Sequence, residues 1–285
     1  MRITYDPIAA RRPLALPGGA RVAVFVVVNV EEWPLEEPIP RPIIPPPAGG
    51  PPPVPDVPNW SWHEYGMRVG FWRIKALLDR HGVRATVALN ASVARTYPPI
   101  VGATMASGWE IMGHGFTQRA LSRELDERSV IRQTIEAIRE ATGRTPRGWL
   151  GPGLVETRET PDLLAEEGIE YVCDWCNDDL PYEMKVKQGR LVSIPYTLEL
   201  NDIPIYAVQH HRSPEIFERA RDQFDTLYAE SKENARVMAI STHPYITGVP
   251  HRIKYFDKIF DYIKQHEGVW FCTGSQILDW YNGIK

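Results

Sequence analysis

The chain has 285 residues, 43% of them apolar, and a formal net charge of −4 without any dense Lys/Arg block. Such a chain is globular, with ample material for a core, and nucleic acid and anionic membrane are poor partners for it. Residues 1–19 lack the apolar stretch and cleavage site of a signal peptide, and the longest strongly apolar run, residues 22–28, is too short for a bilayer. A cytoplasmic protein is expected.

Strand and helix patterns alternate along the chain. Near-continuous apolar runs at 21–28, 85–89, 109–112, 148–150, 171–175, 191–196, 237–241 and 269–272 predict strands, several of them covered on both faces. Between them, residues 66–80 carry Phe71, Ile74, Leu77 and Leu78 on one helical face. Residues 126–142 do the same with Val130, Ile131, Ile135 and Ile138, and stop at Gly143. Thr160-Pro161 and Ser213-Pro214 are cap-then-proline helix starts, and residues 253–265 form the last long helix. Seven or eight such alternations predict an α/β fold, a barrel or a doubly wound sheet, as a single domain over residues 1–285.

Residues 34–58 break the rhythm with twelve prolines, including Pro45-Pro46-Pro47 and Pro51-Pro52-Pro53. This segment cannot be helix or central strand. It follows the first strand directly, so it belongs over the mouth of the barrel, as a stiff surface loop, a subunit contact or a lid. The cysteines are Cys173, Cys176 and Cys272. The first two form a CxxC in a strand-like stretch, where positions three apart face opposite sides, and no second pair follows at zinc-site spacing. Buried structural thiols are expected.

In barrels of parallel strands, catalytic groups gather at the C-terminal strand ends. There the chain places Asn29, Glu31, Glu32 and Trp33; Asn90; His114 and Gln118; Trp149, Leu150 and Gly151; Asp174, Trp175 and Asn177-Asp178-Asp179; Glu199, Asn201 and Asp202; and His243. Polar groups cluster where a barrel collects a site.

The order of these segments resembles the polysaccharide deacetylase (NodB-homology) family, and within it the allantoinase-like and cyclic imide hydrolase-like branch. The matching pieces are VVNVEEW, EYGMRVGFWRI, WEIMGHGFT, TGRTPRGWLGPG, YVCDWCNDDLPY, IPYTLELND and STHP, spread over residues 18–282. The resemblance implies a distorted (β/α)7–8 barrel hydrolase of acetamido groups or of ring amides. It implies Glu31 as general base, Glu32 as metal carboxylate, His114 as first metal histidine and His243 as general acid. The second metal histidine of the family's H-x-x-x-H is Gln118 here, and the family's motif-three arginine is Leu150. Neutral amide is a poor zinc ligand, so a divalent metal, zinc by preference, is implied with an incomplete ligand set.

From residues alone, amide hydrolysis needs an activated water, oxyanion stabilisation and a proton for the leaving nitrogen. Two adjacent carboxylates in a buried pocket cannot easily both ionise, so one is expected to rise toward neutral pH as a base. Consecutive strand residues point oppositely, however, so one of Glu31 and Glu32 would leave the pocket. Trp33, Gln118, Trp149, Leu150, Asp174 and Trp175 are candidate substrate contacts; His210 and His211 would lie at the rim, and His63 outside the site. The expected substrate is a small cyclic amide, imide or ureide, handled by a homo-oligomer. The alternatives are a metal-dependent N-acetyl deacetylase and a non-catalytic binding protein on the same fold.

Overall fold

The computed structural model describes residues 2–46 and 49–284; Met1, Pro47, Ala48 and Lys285 lie outside it. The first strand, β1 (Val22–Val30), is buried along its whole length. After the proline-rich segment comes one helical run: α1 (Val57–Tyr65), a π-helical turn over Gly66–Gly70, and α2 (Phe71–Arg80). Then follow β2 (Thr86–Leu89), α3 (Val93–Thr96), α4 (Pro98–Ala106), β3 (Glu110–Gly113), α5 (Glu127–Thr142), β4 (Gly148–Trp149) and α6 (Thr160–Glu166). The second half holds β5 (Tyr171–Val172), β6 (Tyr182–Met184), β7 (Leu191–Ser193), α7 (Glu215–Glu230), β8 (Arg236–Thr242), α8 (Pro244–Thr247), α9 (Pro250–Ile263), β9 (Val269–Cys272) and α10 (Gly274–Gly283). Among the described residues no helix is long and apolar enough to cross a membrane.

The strands form one sheet in the order β6-β7-β5-β4-β3-β2-β1-β8, with β9 also paired to β1. Every pairing is parallel except the β6–β7 hairpin. An isolated bridge from Asn201 to Ser241 joins the chain beyond β7 to β8 and curls the sheet into a distorted barrel.

Alternation along β1 separates two cores. Val22, Val24, Val26, Val28 and Val30 pack outward on Phe71, Ile74, Leu78, Phe224, Phe256 and Phe260 of the surrounding helices. Ala23, Phe25 and Val27 point inward, against Ala88, Met112, Leu150, Tyr171, Cys173, Val237 and Ala239. Odd-numbered residues of β1 therefore face the barrel interior, and that parity carries on past its end.

Several boundaries differ from expectation. β1 runs two residues further, and β5 and β7 are shorter because the chain leaves the sheet to build loops over the barrel mouth. Helix α1 begins inside the proline-rich stretch, since Pro58 sits in the first turn, where its missing N–H has no helical partner to lose, and Asp56 caps it by accepting from Asn59 N–H. The segments α4, β6 and α10 had no counterpart in the sequence reading; α10 starts at a Thr273–Gln276 capping box.

Candidate active site

Glu31 lies one step beyond β1 on the inward parity and is 5% exposed. Its Oε1 accepts from Gln118 Nε2 at 2.9 Å and stands 3.3 Å from His243 Nε2 and 3.8 Å from His114 Nε2. Its Oε2 accepts from Trp33 Nε1 at 3.1 Å and from Tyr245 Oη at 3.4 Å. Burial by itself would raise this carboxyl, but the facing imidazoles of His114 and His243 outweigh burial and hold it well below its ordinary 4.5. The expectation of a carboxyl raised toward neutrality is thus corrected: Glu31 is a firmly ionised carboxylate, because the second carboxylate is not beside it.

That second carboxylate, Glu32, takes the outward parity. Its backbone N–H donates to Asn90 Oδ1 at 2.9 Å, and its side-chain charge acts on Glu64 and Tyr97, on the helical side. Glu31, and not Glu32, is the carboxylate facing the histidines.

His114 follows β3. Its Nδ1 lies 2.6 Å from Leu150 O, and a carbonyl only accepts, so Nδ1 carries hydrogen. In the neutral ring Nε2 is then a lone-pair acceptor; it is buried and has no hydrogen-bond partner. Leu150 contributes this carbonyl, while its side chain packs in the interior core.

His243 follows β8. Asp202 grips it twice: Oδ2 accepts from the His243 backbone N–H at 2.7 Å and Oδ1 from Nδ1 at 2.6 Å. Thr247 Oγ1 also donates to Asp202 Oδ2, at 2.6 Å. Burial works against the imidazolium, yet Asp202 and Glu31 more than offset it and lift His243 from 6.5 to about 9. At neutral pH the site therefore pairs a carboxylate with an imidazolium. Asp202 was only one of three polar residues after the sixth strand, and nothing local distinguished it from Glu199 or Asn201.

Two further residues complete the surroundings of Glu31. Asn90, fully buried, donates through Nδ2 to His114 O and to Gln118 Oε1 at 3.2 Å. It ties the ends of β1 and β3 together and orients the Gln118 amide with its NH2 toward Glu31. His63, expected outside the site, stacks on Trp33 at 4.2 Å and tilts against Tyr245 at 4.8 Å. Burial lowers it to about 4, so it stays neutral. Trp62 closes the same wall, 4.9 Å from Tyr245. Tyr245, raised well above 10 by burial and then by Glu31 and Asp202, keeps its hydroxyl proton.

The glycines of EYGMRVG explain how this wall is set. A Cβ on Gly70 would stand 2.1 Å from Pro244 O, so only glycine lets the π-helical turn rest on α8, directly after His243. The proline-rich segment lies near the same wall: Ile43 and Ile44 donate their N–H groups to Asn59 Oδ1, and the Arg41 charge reaches Tyr245.

Other candidates fall away from Glu31. Trp149 packs outside the barrel with Leu121, Ile131 and Leu164, because β4 turns it to the helical face. Trp175 donates Nε1 to Glu156 at 3.2 Å and lines a separate cavity with Arg2 and Lys185. Asp174 accepts from Gly151 N–H and touches no group around Glu31. His210 and His211 are exposed.

The implied metal ligands were Glu32, His114 and the Gln118 position. Glu32 faces away, and Gln118 offers hydrogens rather than lone pairs. His114 Nε2 and Glu31 are left, against the three protein ligands of a catalytic zinc site. The residues present do not fit such a metal.

Comparisons with known proteins bear on the family and the fold. A family model described as polysaccharide deacetylase matches residues 62–172. A Schizosaccharomyces pombe protein named "Putative polysaccharide deacetylase" is 34% identical over 239 residues, covering 76% of this chain and 74% of that protein. The peptidoglycan deacetylase of Helicobacter pylori is 24% identical over 251 residues, covering 75% and 84%. The crystal structure of Puue allantoinase superposes with a TM-score of 0.85 at 28% identity, covering 99% of this chain and 98% of that one.

Proposed function

The chain belongs to the polysaccharide deacetylase family, hydrolases acting on carbon–nitrogen bonds, and we propose that its own reaction is the opening of a small cyclic amide, imide or ureide by water. The observation that carries this reading is the enclosure of Glu31, 5% exposed beneath Trp33, His63 and Tyr245. A flat ring suits stacking against such aromatic side chains. The likeness to an allantoinase structure supports the same substrate class.

The family is generally dependent on a divalent metal, but this donor set does not suit one, and the chemistry follows from the side chains. A water between Glu31 Oε1 and His114 Nε2 donates a hydrogen to each, which turns its lone pair toward the ring carbonyl. As the O–C bond forms, the water's proton passes to the Glu31–His114 pair. His243, protonated and held by Asp202, delivers its Nε2 proton to the ring nitrogen as the C–N bond breaks. The proton left on the pair returns to His243 across the 3.3 Å contact between Glu31 Oε1 and His243 Nε2. Charge is conserved around the cycle.

The test is to incubate the protein with succinimide, hydantoin, allantoin and N-acetylglucosamine and to follow ring opening and acetate release. Ring opening of at least one cyclic compound is expected. Acetate release with no ring opened would reject the reading in favour of an acetamido deacetylase, the activity named for the Helicobacter pylori relative.

A further inference from the structure

A single peptide unit beside the site is gripped at both ends. The carbonyl of Leu150 accepts from His114 Nδ1 at 2.6 Å, and the N–H of the next residue, Gly151, donates to Asp174 Oδ1 at 2.6 Å. A peptide hydrogen-bonded through its N–H is a stronger acceptor at its C=O, because the two bonds polarise one another. The arrangement is built closely: a Cβ on Gly151 would lie 2.8 Å from Asp174 Oδ2, so glycine is what lets the carboxyl reach this backbone.

The remaining oxygen, Asp174 Oδ2, is buried without a donor and faces the Glu156 carboxyl. Glu156 accepts from Trp175 Nε1 through both oxygens at 3.2 Å and lines a cavity of about 800 Å³ with Arg2, Arg158 and Lys185. Burial, and after it the Glu156 charge, push Asp174 well above the carboxylate range, while Gly151 N–H opposes them. Asp174 enters the site as the acceptor for Gly151 N–H.

We propose that Asp174 is a positioning residue for the hydrolysis: through the Leu150–Gly151 peptide it holds His114 in the tautomer and ring orientation that keep Nε2 free of hydrogen and turned to Glu31. This rests on the reading above that His114 takes part in the reaction. Asp174 touches no reacting atom, and its effect passes through the peptide alone.

The test compares Asp174→Asn with Asp174→Ala. Asparagine keeps an acceptor for Gly151 N–H and offers a donor to Glu156. Its kcat should stay within about three-fold of wild type, whereas alanine should lower kcat by about 10–100-fold with KM nearly unchanged. The His114 ring nitrogens, assigned in 15N-labelled protein by comparison with His114→Gln, should show the Nδ1–H tautomer in wild type and Asp174→Asn and a tautomer mixture in Asp174→Ala. If alanine does not fold, Asp174→Ser, too short to reach the N–H, is read the same way. An unchanged His114 tautomer in the shortened variants, or an asparagine variant as impaired as alanine, overturns the proposal. The ring spectrum needs no substrate: a tautomer shift in a protein that opens no ring would leave the positioning role standing and reject the function.

Discussion

Replacing Asp202 by asparagine should move the basic limb of the pH–rate profile. Asp202 is fully buried and, with Glu31, supports the His243 imidazolium against burial. Its charge is a main cause of the rise from 6.5 to about 9, a difference worth about 3 kcal/mol. Asp202→Asn removes that charge while keeping the shape, so His243 should fall to about its ordinary value. At pH 8 the protonated fraction then drops from about nine-tenths to a few per cent, and kcat/KM should fall by about 30-fold. At pH 6 both proteins keep His243 mostly protonated, and the loss should be under about two-fold from protonation alone. The assay is kcat/KM from pH 5.5 to 10 on whichever ring the enzyme opens. A basic limb that stays near pH 9, with a uniform loss at every pH, would refute the electrostatic role and leave Asp202 an orienting one. Stability carries the same signature with the sign worked through. A raised folded-state value means that the His243 contribution is complete below 6.5 and lost as pH rises through about 9. Glu31, held low, contributes fully above 4.5 and loses its share only as pH falls toward its lower folded value. Buried His63, lowered to about 4, takes stability away as pH falls below 6.5; urea midpoints should therefore peak near pH 6.5 in wild type, and Asp202→Asn should flatten the basic decline.

Three other outcomes are expected. Glu31→Gln should cut turnover by about 10²–10⁴-fold with the circular dichroism spectrum of wild type, since it removes the carboxylate that accepts the water's hydrogen; retained activity would reject Glu31 as the base. Gly70→Ala should destabilise by about 1–3 kcal/mol in urea titration and lower kcat, because its Cβ meets Pro244 O beside His243. Gly102→Ala, with nothing within 4 Å of its Cβ, is the control and should be neutral or slightly stabilising. Gln118→His should add a third lone pair next to His114 and Glu31 and raise zinc content measured by elemental analysis, whereas dialysed wild type should carry no stoichiometric zinc; zinc bound one-to-one by wild type would show that the donor set had been misjudged.

Much of the layout was legible in the residues. Apolar runs separated by capped helices indicate a parallel sheet, as a barrel or doubly wound, and polar groups at the strand ends indicate its catalytic mouth. Seven short motifs in the right order, those of Glu31, His114 and His243 among them, were enough to point to the family and to the chemistry of carbon–nitrogen bonds. Periodicity carries that much because helices and buried strands leave distinct apolar patterns.

The rest was decided in three dimensions. Val22 to Val30 is buried on both faces, so no polar alternation marks which parity looks inward; only the packing of Ala23, Phe25 and Val27 against the interior assigns Glu31 to the site and Glu32 to the helices. Trp149 likewise ends a strand but faces outward. Asp202, Asn90 and His63 join the site from distant segments, through hydrogen bonds and ring contacts that no local pattern announces. The charges of the site belong wholly to the tertiary structure. Proximity of adjacent residues suggested one raised carboxyl, whereas the fold parts the two glutamates and sets Glu31 against an imidazolium, because interactions across a buried pocket depend on which side chains converge there and not on their order along the chain.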